Sequence, residues 1–207
     1  MKLGLLLFYS LCFIAGSCKT SGQKNRDIDE IRTILKTYND CLIREDFNSM
    51  VDFIYPEIFK RFSQEEMTTD LKKSMHNDDY NIVVNDINID SISNVVVYES
   101  KKYSMAKTRT KASFIIKGGV LNDSLRQKDV FNHFCSDFKK DYGEDNVNCD
   151  NLKKSVTIIM SGEAYLIFNT EYKKWFILSD TNPKDVERFI PDEVRRKLGI
   201  QILNNNN

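Results

Sequence analysis

The sequence has few of the residues on which most catalytic and metal-binding motifs depend. It contains only two histidines, His76 and His133, which stand far apart, and no two of its five cysteines form a CxxC pair. The glycine patterns GxxxxGKS/T, GxGxxG and GxSxG do not occur either. These absences argue against a dedicated zinc site, a phosphate-binding loop and a nucleophile elbow. We therefore predict no cofactor, no metal and no catalytic residue.

An excess of either charge is also missing. Thirty Lys and Arg residues balance thirty Asp and Glu residues, and the two signs are interspersed. This composition lacks the basic footprint of a nucleic-acid-binding protein. The most basic stretch, residues 101–111, alternates along a predicted strand, which favours a solvated sheet face over a patch for anionic headgroups or an acidic partner. Apolar residues make up 41% of the chain, enough for a folded core.

No apolar run is long enough to span a bilayer, which needs roughly 20 residues. The run that starts at Leu3 ends at Gly16, follows the single charge of Lys2 and indicates a secretory signal. Its end, Ala15-Gly16-Ser17 before Cys18, resembles the lipobox of bacterial lipoproteins. That resemblance implies cleavage after residue 17, acylation of Cys18 and attachment to a membrane of the cell envelope. The alternative is a plain secretory signal in which Cys18 is incidental.

Residues 18–27 contain no apolar side chain after Cys18. We expect a lipidated cysteine followed by a flexible tether, because this stretch has nothing to bury. In the lipoprotein family an Asp after the cysteine often retains the protein at the inner membrane. Here that position is Lys19, which favours the outer membrane, with the domain in the periplasm or at the cell surface.

Apolar spacing predicts helices first and strands afterwards. The helices cover Ile31–Arg44, a segment from Phe47 to Tyr55, and Ser63–His76, the last with a capping box of Ser63 and Glu66. The predicted strands are Tyr80–Ile92, Val95–Tyr98, Tyr103–Ile116, Ser155–Asn169 and Tyr172–Asp180. A short helix over Pro191–Leu198 precedes a polar tail, residues 201–207, that we expect to be disordered.

Helices followed by a long-stranded antiparallel meander indicate an α+β fold. Through its first helix, the Asp46-Phe47 and Tyr55-Pro56 steps and the closing strand EYKKWFILSD, the chain resembles the cone-shaped family of nuclear transport factor 2 and ketosteroid isomerase. The likeness covers residues 28–180. It implies one domain over 28–200, with N-terminal helices packed on a curved antiparallel sheet around an apolar cavity. Because this family includes enzymes, transport factors and non-catalytic domains, the fold does not determine the function.

The resemblance makes several side chains candidates for the cavity: Tyr38, Asp40, Tyr55, Tyr103, Tyr165 and Trp175. Two further acid–base candidates have structural explanations, because Asp46 stands at a helix start and His76 at a helix end. No pair of titratable residues is indicated. We therefore predict a non-catalytic domain that binds a protein partner or a small apolar ligand. The alternative is a small isomerase- or dehydratase-type enzyme with acid–base chemistry in the cavity.

The stretch between Gly119 and Ser155 departs from this family, because it is too long for a featureless loop. Residues near 125–138 have helical spacing and Gly143 suits a helix end, so residues 122–150 are predicted to form a helical insertion. Cys135 lies on this helix and Cys149 follows it. In an oxidising compartment we expect these two to form a disulfide, and the alternative is two free thiols. We also expect the insertion to face a partner.

Overall fold

Twelve helices and strands account for most of the computed structural model, which describes the backbone of residues 20–117, 127–179 and 183–200 and the side chains of 25–117, 131–178 and 184–200. The helices are α1 (Thr20–Ile43), α2 (Phe47–Met50), α3 (Gln64–Met75), α4 (Gln127–Tyr142), α5 (Pro183–Phe189) and α6 (Asp192–Leu198). The strands are β1 (Tyr80–Ile92), β2 (Val96–Tyr98), β3 (Lys101–Ile116), β4 (Val147–Asp150), β5 (Ser155–Asn169) and β6 (Lys174–Ser179). The N-terminal helices pack on a strongly curved antiparallel half-barrel, so the predicted α+β class is confirmed.

The long strands β1, β3 and β5 lie side by side in antiparallel pairs, with β3 in the middle and β1 at the edge of the sheet. Beyond the end of β1, the short strand β2 continues on the same edge of β3. On its other edge β5 pairs with β4 along its first residues and with β6 along its last. One long strand therefore carries two different partners at its two ends.

The apolar residues of β1 have a spacing that ordinary alternation does not explain. Ile82, Val84, Ile87, Ile89 and Ile92 are separated alternately by two and three positions. The register with β3 shifts at two places, between Val84 and Asp86 and between Ile89 and Ser91. Each irregularity skips one residue, so all five side chains stay on one face of the sheet.

Helix α1 covers that same face, here called the α1 face. Its residues Ile31 and Leu35 are buried against Ala106, Leu166 and Trp175. Helix α4 packs on the same face further along, where Phe131 and Cys135 meet residues of β4 and β5. Helices α5 and α6 cover the opposite face, against the ends of β5 and β6. The second half of β5 and most of β6 are thus buried on both faces of the sheet.

The predicted capping box at the start of α3 is confirmed. The hydroxyl of Ser63 accepts a hydrogen bond from the amide of Glu66 at 3.1 Å, and the Glu66 carboxylate accepts one from the amide of Ser63 at 2.6 Å. The helix ends at His76, as its sequence pattern indicates. These reciprocal bonds satisfy amides that a helix start otherwise leaves unpaired.

The start of α1 falls within residues 18–27, the stretch predicted to be a flexible tether. The helix already begins at Thr20, and Asp27 is only 4% exposed. Both Asp27 carboxylate oxygens accept hydrogen bonds from the Lys102 ammonium, at 2.8 and 2.9 Å. A polar stretch can extend an existing helix because each added residue gains one backbone hydrogen bond, and the ion pair holds the extension against the sheet.

Two elements have no counterpart among the predictions. Strand β4 replaces a polar return segment, and helix α5 precedes the predicted C-terminal helix. Within the described ranges no helix is both long and apolar enough to cross a membrane. The predicted signal peptide, Cys18, the start of the insertion at 122–126 and the tail 201–207 lie outside the described residues.

Candidate functional site

A cavity of about 190 Å³ lies between α1 and the sheet. Helix α1 contributes Leu35, Tyr38, Asn39 and Leu42, and the strands contribute Ile87, Thr108, Thr110, Gly162, Glu163, Ala164 and Ile177. Hydroxyl and amide groups therefore share the lining with aliphatic side chains. The volume is smaller than the roughly 300–1,000 Å³ typical of pockets for drug-sized ligands.

Of the six predicted cavity residues, only Tyr38 lines this space. Trp175 lies on the same face of the sheet, fully buried under α1, and its ring meets Phe168 edge-on at 5.5 Å. Trp175 therefore packs beneath α1 and does not line the cavity. No described group pairs with its buried indole nitrogen.

Asp40 does not line this cavity, and its side chain is exposed. Successive residues of an α-helix are rotated by about 100°. With Tyr38 and Asn39 directed towards the sheet, Asp40 falls on the solvent side of α1. Its carbonyl oxygen accepts hydrogen bonds from the Arg44 side chain and backbone, so the local role of this residue is at the helix end.

Three predicted tyrosines also lie outside the cavity, on the opposite face of the sheet. Tyr55, Tyr103 and Tyr165 are buried in the cluster beneath α5 and α6. The ring of Tyr55 packs edge-on against Phe189 at 5.4 Å. Burial raises the pKa of both Tyr55 and Tyr103, so these phenols stay protonated at neutral pH. They act as core residues.

The side chain of Glu163 shares this opposite face with Tyr165. The hydroxyl of Tyr165 donates a hydrogen bond to a Glu163 carboxylate oxygen at 2.9 Å. Residues two apart on a strand point to the same side, so Glu163, although it borders the cavity, turns its carboxylate to the side of β5 that carries Tyr165. The sequence-derived candidates do not include Glu163, and the two-residue period of a strand is what places it beside Tyr165.

The remaining acid–base candidates have structural roles. Asp46 caps α2 by accepting a hydrogen bond from the Ser49 amide at 3.2 Å, and the bonds from Ser49 lower the pKa of its carboxyl. His76 closes α3. Its Nε2 lies 2.7 Å from a Glu45 carboxylate oxygen and its Nδ1 lies 3.2 Å from the Asn81 side-chain oxygen. These hydrogen bonds, first the one with Glu45, raise the pKa of the imidazole.

The helical insertion carries the predicted disulfide. The sulfur atoms of Cys135 and Cys149 are 1.89 Å apart and their Cα atoms 6.3 Å apart, so the predicted pairing is confirmed. The bond joins α4 to β4, which itself pairs with β5. The third described cysteine, Cys41, is free and buried.

Beside this disulfide is an open groove of about 610 Å³. Polar side chains dominate its wall: Asn132, Ser136, Lys139, Lys140, Glu144 and Asn151, together with the two cysteines. The Lys139 ammonium lies 3.2 Å from a Glu144 carboxylate oxygen across the end of α4. No sequence motif marks these residues. They become neighbours only because β4 folds back along α4.

No metal-binding constellation occurs in the portion of the chain that the structure describes, where no three His, Cys, Asp or Glu side chains cluster suitably. No protein-family model matches the chain. No curated protein sequence matches it either.

Proposed function

We propose that this chain is a cell-envelope lipoprotein, anchored through acylated Cys18 in the outer membrane, whose nuclear transport factor 2-like domain binds a protein partner without catalysing a reaction. The small residues before Cys18 and the apolar run that precedes them support the anchor. The single observation that carries the proposal is the disulfide pairing of Cys135 with Cys149. Disulfides persist in oxidising compartments such as the periplasm, so this bond supports export independently of the N-terminal sequence.

The dispersal of acid–base groups supports a non-catalytic role. General acid–base chemistry needs a titratable group within hydrogen-bond reach of the reacting atom, about 2.6–3.2 Å. The Glu163 side chain and three buried tyrosines lie across the sheet from the cavity. Asp46 and His76 serve helix ends. Tyr38 is the one predicted candidate left at the cavity wall.

The insertion groove is the better binding surface of the two. It is three times larger than the α1 cavity, at about 610 against 190 Å³, open to solvent and polar. Polar, solvent-accessible walls fit the rim of a protein interface better than a pocket for an apolar ligand. A protein partner is therefore the preferred occupant, and the groove on α4 is its docking site.

The anchor is tested by changing the cysteine. In a bacterial host, Cys18→Ser should move the protein from the membrane fraction to the soluble fraction and remove the acyl mass from the mature N-terminus. Cys12→Ser is the matched control, because Cys12 lies inside the predicted signal and its loss should leave both unchanged. A wild-type protein without acyl mass, together with a Cys18→Ser protein that stays in the membrane, would contradict the proposal.

The binding claim is tested in the same cells. A photo-crosslinking amino acid at Ser136, on the groove, should give one discrete protein adduct. The same group at Lys73, exposed on α3, should not. Equal labelling at both positions would reject the groove as the docking site. Turnover of any substrate that depends on the Tyr38 hydroxyl would favour the enzymatic alternative.

A further inference from the structure

Helix α1 fixes where the anchor emerges from the domain. It runs alongside β3 in the same direction: Asp27 bonds Lys102 near the start of β3, and Tyr38 lies by Thr108 further along. Residues 20–26 therefore extend past Lys102. They project towards the end of the sheet that carries the β2–β3 turn, Glu99–Ser100, and the β5–β6 turn, residues 170–173. We call this end the turn end.

The connection between Cys18 and this end is short. The helical rise from Thr20 to Asp27 is about 10 Å, at 1.5 Å per residue. The step from Cys18 to Thr20 adds at most about 7 Å. Cys18 is thus within about 17 Å of Asp27, whereas a free tether of the same residues reaches about 30 Å. Because the ion pair with Lys102 holds Asp27 in place, the length of the chain alone keeps an anchor at Cys18 near the turn end.

We infer that the turn end lies against the lipid headgroups of the anchoring membrane and that the insertion groove faces away from them. This inference rests on the proposed acylation of Cys18. It adds an orientation that acylation alone does not dictate, since a flexible tether would let the domain tumble.

Side chains at the turn end suit such a contact. Val97 is 65% exposed and Tyr172 is 56% exposed, although both are apolar or aromatic. The exposed Lys101 flanks the first turn and the exposed Lys173 belongs to the second. Aromatic rings and lysine stems are favoured at membrane interfaces, where an apolar body meets a polar headgroup.

Charge alone does not explain the contact. Glu99 and Glu171 stand in the same turns as the lysines and offset them. We therefore expect no binding of the unacylated domain to vesicles, and the lipid anchor supplies the affinity. The occupant of this surface is the headgroup layer of the membrane that holds the acyl chains.

The far end of β5 gives an internal comparison. Leu152 lies in the β4–β5 turn and is 97% exposed. Strand β5 runs from Ser155 to Asn169, a contour of about 45 Å at 3.3 Å per residue, and Leu152 and Tyr172 lie beyond its opposite ends. The Cys149 end of the groove pairs with Val156 at this far end.

Energy transfer to the membrane surface tests the orientation. The acylated protein carrying Tyr172→Cys or Leu152→Cys is labelled with a donor and reconstituted in vesicles of phosphatidylethanolamine and phosphatidylglycerol with a headgroup-linked acceptor. Cys41 is buried and the other described cysteines are bonded, so labelling is selective. If the Förster distance of the dye pair is shorter than the length of β5, the transfer efficiency should be several-fold higher from position 172 than from position 152. Thr170→Cys provides a second site in the same turn, away from the ring of Phe176 that Tyr172 contacts.

A linker variant completes the test. Ten Gly and Ser residues inserted between Lys19 and Thr20 should lower the transfer efficiency from position 172. The efficiencies from positions 172 and 152 should then become similar. Equal transfer at both sites in the protein without the linker, with the protein still floating with vesicles, would overturn the orientation and leave the anchor intact. A protein without acyl mass that does not float would overturn the proposed function, and the orientation with it.

Discussion

Breaking the Asp27–Lys102 ion pair should destabilise the docked start of α1. Asp27 is 4% exposed and receives two hydrogen bonds from the Lys102 ammonium, which also lies 4.9 Å from the Phe168 ring centre. Lys102→Met removes the charge and keeps an apolar stem of similar length. It leaves a carboxylate buried without its ammonium partner, which is the costly way to break an ion pair.

The magnitude follows from burial. Removing one partner of a fully buried pair costs about 3–5 kcal/mol. The Lys102 side chain is 25% exposed, so solvent partly screens the interaction and about 2–3 kcal/mol is the better expectation. For a domain of this size the loss corresponds to a fall in Tm of roughly 4–12 °C.

Urea unfolding of the Cys18→Ser protein measures the effect, with Asp27→Leu, Lys102→Met and their combination in a double-mutant cycle. The combination should recover most of the loss, because two apolar side chains need no counter-charge. Hydrogen exchange adds a local readout: Lys102→Met should accelerate exchange of the α1 amides near Asp27 more than those of α3. A change below about 0.5 kcal/mol would place the pair among weak surface bridges and refute the reasoning.

Two further predictions follow. Cys149→Ser opens a loop of 14 residues, so it should lower the free energy of unfolding by about 3 kcal/mol; no difference between oxidised wild type and the variant would contradict a stabilising disulfide. The hydrogen bond with Glu45 raises the pKa of His76, so its stabilisation is complete below about pH 6.5 and is lost as pH rises through the raised folded-state pKa. His76→Gln should flatten the pH dependence of unfolding in that range, and an unchanged profile would show that the His76–Glu45 contact contributes nothing.

Local chemistry explains which elements were predictable. The capping box of Ser63 and Glu66 depends on residues three apart, and its prediction agrees with the structure. The apolar positions of β1 also mark its buried face, including the two irregularities that keep Ile82 and Ile92 on one side. The start of α1 was missed because the ion pair that holds it joins Asp27 to a residue on β3, and local sequence carries no sign of that contact.

The cavity was harder to predict than the elements around it. The segment from Ala164 to Phe168 is largely buried on both sides, under α1 and under α5 and α6. Alternation of apolar and polar residues therefore disappears, and the sequence gives no sign that Tyr165 faces away from α1. On α1 a single position changes the environment of a side chain, since Asp40 is adjacent to the buried Asn39 but points to solvent.

The two strands on the outer edge of β5 offer a physical reason why the insertion can carry a binding role. Strand β6 pairs with the last residues of β5 and belongs to the core beneath α5 and α6. Strand β4 pairs with the first residues, and its own cluster includes Phe131 and Val156. Because the two clusters share no buried residue, substitutions on the groove side of α4 should leave the main core unchanged. A binding surface on α4 can therefore vary without loss of the fold.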